Sequence, residues 1–160
     1  MPLVDLKAKI EEKFATKNID GLGNDIRKYG ERQLKQIAYD IEADLPFRFN
    51  DRNHERMMSE LLTGVQGKIN KYSPGDLKSK HNIDSLLASP LLIGNKTSHD
   101  NTFKENLADL DVFWEDVKKL IKVLYCSDEN CKSFISSKYY DNVNKKIRCS
   151  CGKLSYDWKK

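Results

Sequence analysis

Residues 126–160, CSDENCKSFISSKYYDNVNKKIRCSCGKLSYDWKK, contain all four cysteines of the chain. Cys126 and Cys131 form one close pair, and Cys149 and Cys151 form the other. Thiolates at such short spacing can reach a single tetrahedral ion, so two close pairs predict a metal site. We therefore expect a small β ribbon that is held together by one structural zinc ion, Zn²⁺.

The spacing differs from that of the usual zinc ribbon, because C-x4-C and C-x-C replace two C-x2-C pairs. Gly152 stands where a tight turn needs a positive φ angle and where backbone N–H groups can point at a thiolate. Two short strands are predicted around a turn at Asp141 and Asn142. The apolar residues that suggest these strands are Phe134, Ile135, Tyr139, Tyr140, Val143 and Ile147.

A metal is expected because so short a segment buries too little apolar surface to fold alone. The alternatives are disulfide bonds or four unrelated thiols. No signal peptide precedes the segment, so the sequence gives no support for an oxidising compartment. A catalytic zinc is disfavoured, since four thiolates leave no ligand position open for a substrate.

Composition predicts one compact domain with a small appendage. The chain has 160 residues, of which 39% are hydrophobic and 32% are charged. We expect a helical domain over residues 1–125 and a zinc ribbon over residues 126–160. No apolar run has the roughly 20 residues that cross a bilayer, so we expect a cytoplasmic protein that does not contact membranes. The sequence leaves open whether this chain is one domain of a longer protein.

The net charge of +4 is concentrated in the ribbon, where eight lysines and arginines outnumber four carboxylates. Lys145, Lys146, Arg148 and Lys153 are therefore the candidate nucleic-acid-binding residues. Four thiolates with one Zn²⁺ carry a net charge of −2, which weakens that argument. The aromatic residues of the ribbon can stack on bases or cover the metal, and both interpretations stay open. They are Tyr139, Tyr140, Tyr156 and Trp158.

Periodicity predicts a mainly α protein: a bundle of four or five helices followed by the small C-terminal β zinc ribbon. The expected helices cover residues 3–17, 24–44, 54–72, 83–87 and 103–124. Asn24 or Asp25 is the expected cap of the second helix, and Pro46 is expected to stop the chain from continuing it. Gly64 and Gly67 suggest a close helix approach in the third.

The last helix carries apolar residues that step by four and three along one seam, typical of a helix that packs along a partner helix. They are Phe103, Leu107, Leu110, Trp114, Val117, Ile121 and Leu124. Residues 102–105 match a capping box, and Asp100 or Asn101 can also cap. Whether the seam closes within one chain or between two copies stays open, so a homodimer is possible.

The order of several features resembles a known family. A charged helix with Glu31 is followed by Leu45-Pro46, a helix with a Leu-Leu pair, the stretch Gly94-Asn-Lys-Thr-Ser-His-Asp100 and a helix that ends in cysteine. Over residues 24–131 this resembles the helical C-terminal region of SMC/RecF-like ATPases of bacterial defence and restriction-associated systems. The resemblance implies an accessory module whose partner is an ATPase subunit or a second copy. No Walker A pattern occurs, so the ATPase itself is not part of this chain.

A related resemblance is to HEPN-type helical bundles, some of which are ribonucleases with an Arg-x4-6-His motif. This chain departs from the motif, because Lys96 is the nearest base before His99 and Arg52-Asn53-His54 has the wrong spacing.

Asn95, Lys96, Ser98 and His99 precede a predicted helix N-terminus, where an anion is favoured. They either grip a phosphate or act on RNA, or they cap the helix. The sequence thus predicts a non-enzymatic module that binds protein or nucleic acid, with an HEPN-like ribonuclease using His99 as the alternative.

Overall fold

The structure is a computed structural model that describes residues 1–47, 49, 58–88 and 106–160. Its helical elements are α1 (Leu3–Ala15), α2 (Leu22–Asp40), α3 (Met58–Tyr72), a π-helical turn (Pro74–Lys78), α4 (residues 83–88) and α5 (Leu107–Leu124). The strands are β1 (Ser136–Asp141), β2 (Lys146–Arg148) and β3 (Ser155–Asp157). They form one antiparallel sheet in the order β1-β2-β3. The predicted fold class, helices followed by a small C-terminal sheet, is confirmed.

The start of α2 differs from the prediction that Asn24 or Asp25 caps it. The helix begins at Leu22, after Gly21 in the left-handed region at φ 66°, and the Asp25 N–H already donates to the Gly21 carbonyl. The Asp25 carboxylate, which is buried, instead lies 2.7 Å from Lys13 Nζ. It therefore joins α2 to α1 rather than closing the end of its own helix.

The end of α2 also precedes the predicted one near residue 44. The helix ends at Asp40, and Glu42 takes a left-handed φ of 56°. The Ala43 N–H then donates to the Ala38 carbonyl at 2.9 Å, which satisfies an acceptor at the helix end. A left-handed turn thus ends the helix before Pro46 can do so.

Within the described residues, the apolar seam of α5 packs inside the chain. Phe103 lies outside them. Trp114 packs edge-on against Tyr29 of α2, with 5.1 Å between the ring centroids. Phe113 and Leu120, which the seam prediction omitted, are buried as well, so the apolar face of α5 is broader than predicted.

The start of α5 is also later than predicted. Asn106 caps the helix, because its side-chain oxygen accepts the Asp109 N–H at 2.8 Å. The predicted start near residue 103 is therefore wrong. The capping box at 102–105 and the alternative caps Asp100 and Asn101 lie outside the described residues.

The ribbon packs against the helical part through β3 and the residues after it. Trp158 stacks on Tyr72 of α3 with 5.4 Å between centroids, and the Lys159 N–H donates to the Tyr72 carbonyl at 2.7 Å. The Asp157 N–H donates to the carboxylate of Asp76 in the π-helical turn at 2.9 Å. The predicted boundary at residue 126 thus marks the change from helix to strand, while one apolar core continues across it.

Val143 corrects one detail of the strand prediction. It lies in the turn between β1 and β2 and is 88% exposed, because the Asp141 carboxylate accepts its N–H and that of Asn144 and so folds the turn. Within the described ranges, none of the helices combines the length and the apolar character that crossing a bilayer requires.

Candidate metal centre

The first cysteine pair is positioned by the end of α5. Tyr125 leaves the helix in an extended conformation and pairs with Phe134 as an isolated bridge. The Cys126 N–H then donates to the Ser133 carbonyl at 2.9 Å. The Cys131 N–H donates to the Asp128 carbonyl at 3.1 Å. The long C-x4-C spacing is therefore taken up by a compact turn, and both sulfurs stay on one side of it.

The second pair follows β2 directly. Cys149 is the next residue after Arg148, and the Gly152 N–H donates to the Cys149 carbonyl at 3.1 Å. Gly152 has a φ of 79°, a conformation that costs a residue with a Cβ atom far more than it costs glycine. The predicted turn at Gly152 is confirmed, and it folds the short C-x-C pair back so that both sulfurs face the first pair.

All four sulfurs converge. The Sγ atoms of Cys126, Cys131, Cys149 and Cys151 lie within 4.8 Å of one another. Cys151 Sγ lies 3.6 Å from both Cys126 Sγ and Cys149 Sγ. With zinc–sulfur bonds of about 2.3 Å, tetrahedral ligation places sulfurs about 3.8 Å apart. The four cysteines can therefore hold one metal ion of this size.

The same distances bear on the two alternatives. A disulfide bond requires sulfurs about 2.05 Å apart, and all four cysteines are free in the structure. The convergence of all four sulfurs in one small volume favours a shared metal site over four unrelated thiols.

Backbone donors are directed at three of the sulfurs. The Asp128 N–H lies 3.5 Å from Cys126 Sγ, and the Cys151 N–H lies 3.4 Å from Cys131 Sγ. The Leu154 N–H lies 3.4 Å from Cys149 Sγ. Such donors stabilise thiolate charge and orient metal ligands, so the chain supplies an outer shell as well as the sulfurs.

The four thiols lie so close together that their pKa values are shifted in opposite directions. The Asp128 N–H lowers the pKa of Cys126, but burial and the neighbouring cysteine thiols outweigh it and raise that pKa to about 12. The hydroxyl of Ser133 and the Cys151 N–H lower the pKa of Cys131 to about 6, against the effect of burial. A divalent ion would replace these shared protons and stabilise all four thiolates together.

An ion pair ties the two cysteine loops together at the surface. Lys153, next to the second pair, binds the carboxylate of Asp128, which lies between the first two cysteines. The hydrogen bond from Lys153 and the N–H of Asn130 lower the pKa of Asp128. The lysine is largely exposed, so the pair positions the loops more than it stabilises them.

The candidate nucleic-acid residues are largely engaged within the ribbon. Lys146 Nζ lies 3.2 Å from Asp157, and Lys153 binds Asp128. Arg148 Nε donates to the Tyr139 carbonyl at 3.0 Å. The fourth candidate, Lys145, lies in the β1–β2 turn 3.4 Å from the Asn142 side-chain oxygen. Lys146 and Lys153 are thus ion-paired, whereas Arg148 and Lys145 have neutral partners and keep their charge.

The four ribbon aromatics divide into two groups. Tyr156 and Trp158 are buried in the common core, so they cover the ribbon and are not open to stacking on bases. Tyr139 and Tyr140 are half-buried. Lys138 and Lys160 lie 5.7 Å and 5.1 Å from their ring centroids.

Ser133 belongs to the centre although the sequence did not single it out. Its hydroxyl lies 3.2 Å from Cys131 Sγ and accepts the Ser150 N–H at 2.9 Å, so it links the two pairs. Its place two residues after Cys131 was the only hint in the sequence. Asn95, Lys96, Ser98, His99 and the His54 segment lie outside the described residues, so their role stays a prediction.

Comparison with protein-family models, with curated proteins and with solved structures gives no match to this chain. The likeness to the helical regions of defence-associated ATPases and to HEPN bundles therefore stays a hypothesis that rests on the sequence motifs alone.

Proposed function

We propose that this chain is a non-enzymatic interaction module whose C-terminal ribbon is organised by a structural Zn²⁺ ion. The convergence of Cys126, Cys131, Cys149 and Cys151 within 4.8 Å supports it. Four thiolates fill a tetrahedral shell, so no position remains for a substrate or a reactive water. The proposed ion would act by joining the end of α5 to the turn after β2.

Zinc is favoured over other ions by the donor set. Four sulfur ligands in a tetrahedral arrangement suit zinc or iron, whereas calcium and magnesium require oxygen. Zinc has no redox chemistry to control, and the backbone N–H groups directed at three sulfurs match the outer shell of a structural site.

The metal is tested by elemental analysis of the purified full chain. We expect one zinc per chain, and we expect Cys149→Ser to reduce that content strongly because it removes a buried ligand. Ser150→Ala is the matched control, since Ser150 contributes its backbone N–H and not its side chain. Iron with a visible absorption band, or a ribbon that folds without metal, would contradict the zinc assignment.

We further propose that the partner is a protein. Lys146, Arg148 and Lys153 have partners inside the ribbon, and Tyr156 and Trp158 are in the core, so these five residues offer little to a phosphate backbone. A salt titration with short DNA and RNA duplexes and single strands tests this. We expect no binding at physiological salt, whereas a steep dependence of affinity on salt would show phosphate contacts and favour nucleic acid.

A further inference from the structure

A long open groove separates the end of α2 from β1. Its volume is about 1210 Å³. One wall carries Lys35 and Tyr39 of α2, and the other carries Ser137, Lys138 and Tyr139 of β1. Tyr39 is 80% exposed, so its ring is accessible to a ligand in the groove.

The groove runs along β1. The consecutive residues 136–139 all line it, and the pairing of β1 with β2 shifts register between Ser136 and Asp141, so this stretch departs from the regular alternation of side chains. In the sheet order β1-β2-β3, the strand β1 is an outer strand. Among the described strands, only β2 pairs with it, so its second edge lies open to the groove.

The chain itself pairs with the segment that leads into β1. Tyr125 bridges Phe134, and the Ile135 N–H donates to the Leu124 carbonyl at 2.9 Å. Both bridged residues line the end of the groove. A further extended segment in the groove would therefore continue a pairing that the chain has already begun.

The charge of the groove is positive. Its charged lining residues are Lys35, Lys132, Lys138 and Lys160 against Asp40 and Glu42. Within the described ranges, none of these four lysines forms an ion pair, which leaves their charges available to a ligand. The same groove of a second copy is a poor occupant, because its lining carries the same excess of lysines.

We propose that this groove binds an extended acidic peptide of a partner protein, which adds to the open edge of β1 as a fourth strand. The inference rests on the proposed function as a protein-interaction module and names the chemistry of its partner. Main-chain hydrogen bonds to β1 would supply affinity, and carboxylates facing Lys35 and Lys138 would supply selectivity. The exposed ring of Tyr39 would contact alternate apolar side chains of the peptide.

The test uses the full chain, labelled with ¹⁵N and titrated in its metal-loaded form with defined synthetic peptides. The probe alternates valine and glutamate over about ten residues, enough to span a strand the length of β1. One comparison peptide replaces glutamate by lysine, and a second carries N-methyl groups on alternate backbone amides. We expect the acidic probe to shift the amide resonances of Ser137 and Tyr139, and we expect neither comparison peptide to do so.

Charge-reversal variants locate the site. Lys35→Glu and Lys138→Glu are each expected to weaken binding of the acidic probe about fivefold at low salt. Lys119→Glu makes the same change on the exposed surface of α5, outside the groove, and is expected to leave binding unchanged.

Four results would overturn the inference: no binding of the acidic probe, equal binding of the N-methylated or lysine peptide, displacement of the probe by an oligonucleotide, or self-association through β1. Zinc content is measured on the same samples. A chain that contains zinc and ignores the acidic probe refutes the groove alone. A chain that takes up no zinc refutes the metal proposal, and the same titration of that metal-free chain then tests the groove.

Discussion

At the scale of single residues, Tyr156 connects the ribbon to the helical part. It is buried, and its hydroxyl donates to the carbonyl of Val123 near the end of α5. Burial, helped by the charge of Asp76, raises its pKa to about 12. In the sequence, Tyr156 was a candidate for stacking on bases. In the structure, its hydrogen bond to Val123 connects the sheet to α5.

Tyr156→Phe removes this hydrogen bond and leaves the partly buried Val123 carbonyl without the tyrosine donor. We expect the free energy of unfolding to fall by about 1–2 kcal/mol, measured by urea denaturation of the metal-loaded chain. Tyr39→Phe is the control, because Tyr39 is exposed and its change should alter stability very little. An equal loss in both variants would show that the Val123 contact is unimportant.

The same variant has a pH signature. The pKa of Tyr156 is raised above the ordinary 10.0, so between pH 10 and about 12 the unfolded chain releases a proton that the folded chain keeps. The contribution of the tyrosine is therefore complete below pH 10 and declines as pH rises toward 12. The stability difference between the wild type and Tyr156→Phe should shrink over that range, and a constant difference would contradict the assignment.

At the scale of elements, α3 contains two glycines in different surroundings. A Cβ atom on Gly64 would lie 2.6 Å from Leu45 Cδ2 and 3.0 Å from the Asp44 carbonyl oxygen, so the loop after α2 approaches α3 closely there. A Cβ atom on Gly67 would meet nothing within 4 Å in the described part of the chain. The sequence suggested a close helix approach at both positions; the structure instead brings the loop after α2 close to Gly64.

The two positions predict opposite effects of one substitution. Gly67→Ala should stabilise the chain by about 0.5–1 kcal/mol, since alanine favours the helix and nothing opposes its methyl group. Gly64→Ala should destabilise it, because the Asp44 backbone must move. Thermal unfolding of the two variants beside the wild type measures this, and a shift of the same sign in both would show that the contact with Asp44 is not limiting.

The limits of the sequence are also clearest at this scale. Helical periodicity located the helices because burial of one face dictates it, but the ends of α2 depend on left-handed turns at Gly21 and Glu42. Glutamate gives no hint of such a turn. The sequence offered residues 102–105, Asp100 and Asn101 as caps of α5, and it did not single out Asn106, which caps the helix.

At the scale of the whole molecule, the apolar core does not divide at residue 126. Trp158 and Tyr156 of the ribbon belong to the same buried cluster as Trp114 and Ile37 of the helices. The cysteine spacing was enough to predict that the four sulfurs could meet at one candidate metal site, because short loops hold the sulfurs of each pair close together. The docking through Asp76 and Tyr72 was not predictable, since it depends on contacts between residues far apart in the chain.

Metal removal should therefore affect more than the ribbon. We expect a strong chelator to reduce the near-ultraviolet circular dichroism of the tryptophans and to lower the melting temperature of the helices as well. The reason is that an ion bound only to the folded state stabilises that state, and its removal takes this stabilisation away. Two separate transitions, with the helical one unchanged, would instead support the independent domains 1–125 and 126–160 that the sequence suggested.

The unequal burial of the cysteines has a kinetic consequence. Cys126 and Cys149 are buried, Cys131 is half-buried and Cys151 is exposed. An ion bound there would face water mainly on the side of Cys151. Competing ligands and oxidants would therefore react first at Cys151, while Cys126 and Cys149 stayed bound to the ion. The residence time of the ion would then depend on this one side, and any molecule resting over residues 150–152 would lengthen it without touching the ion.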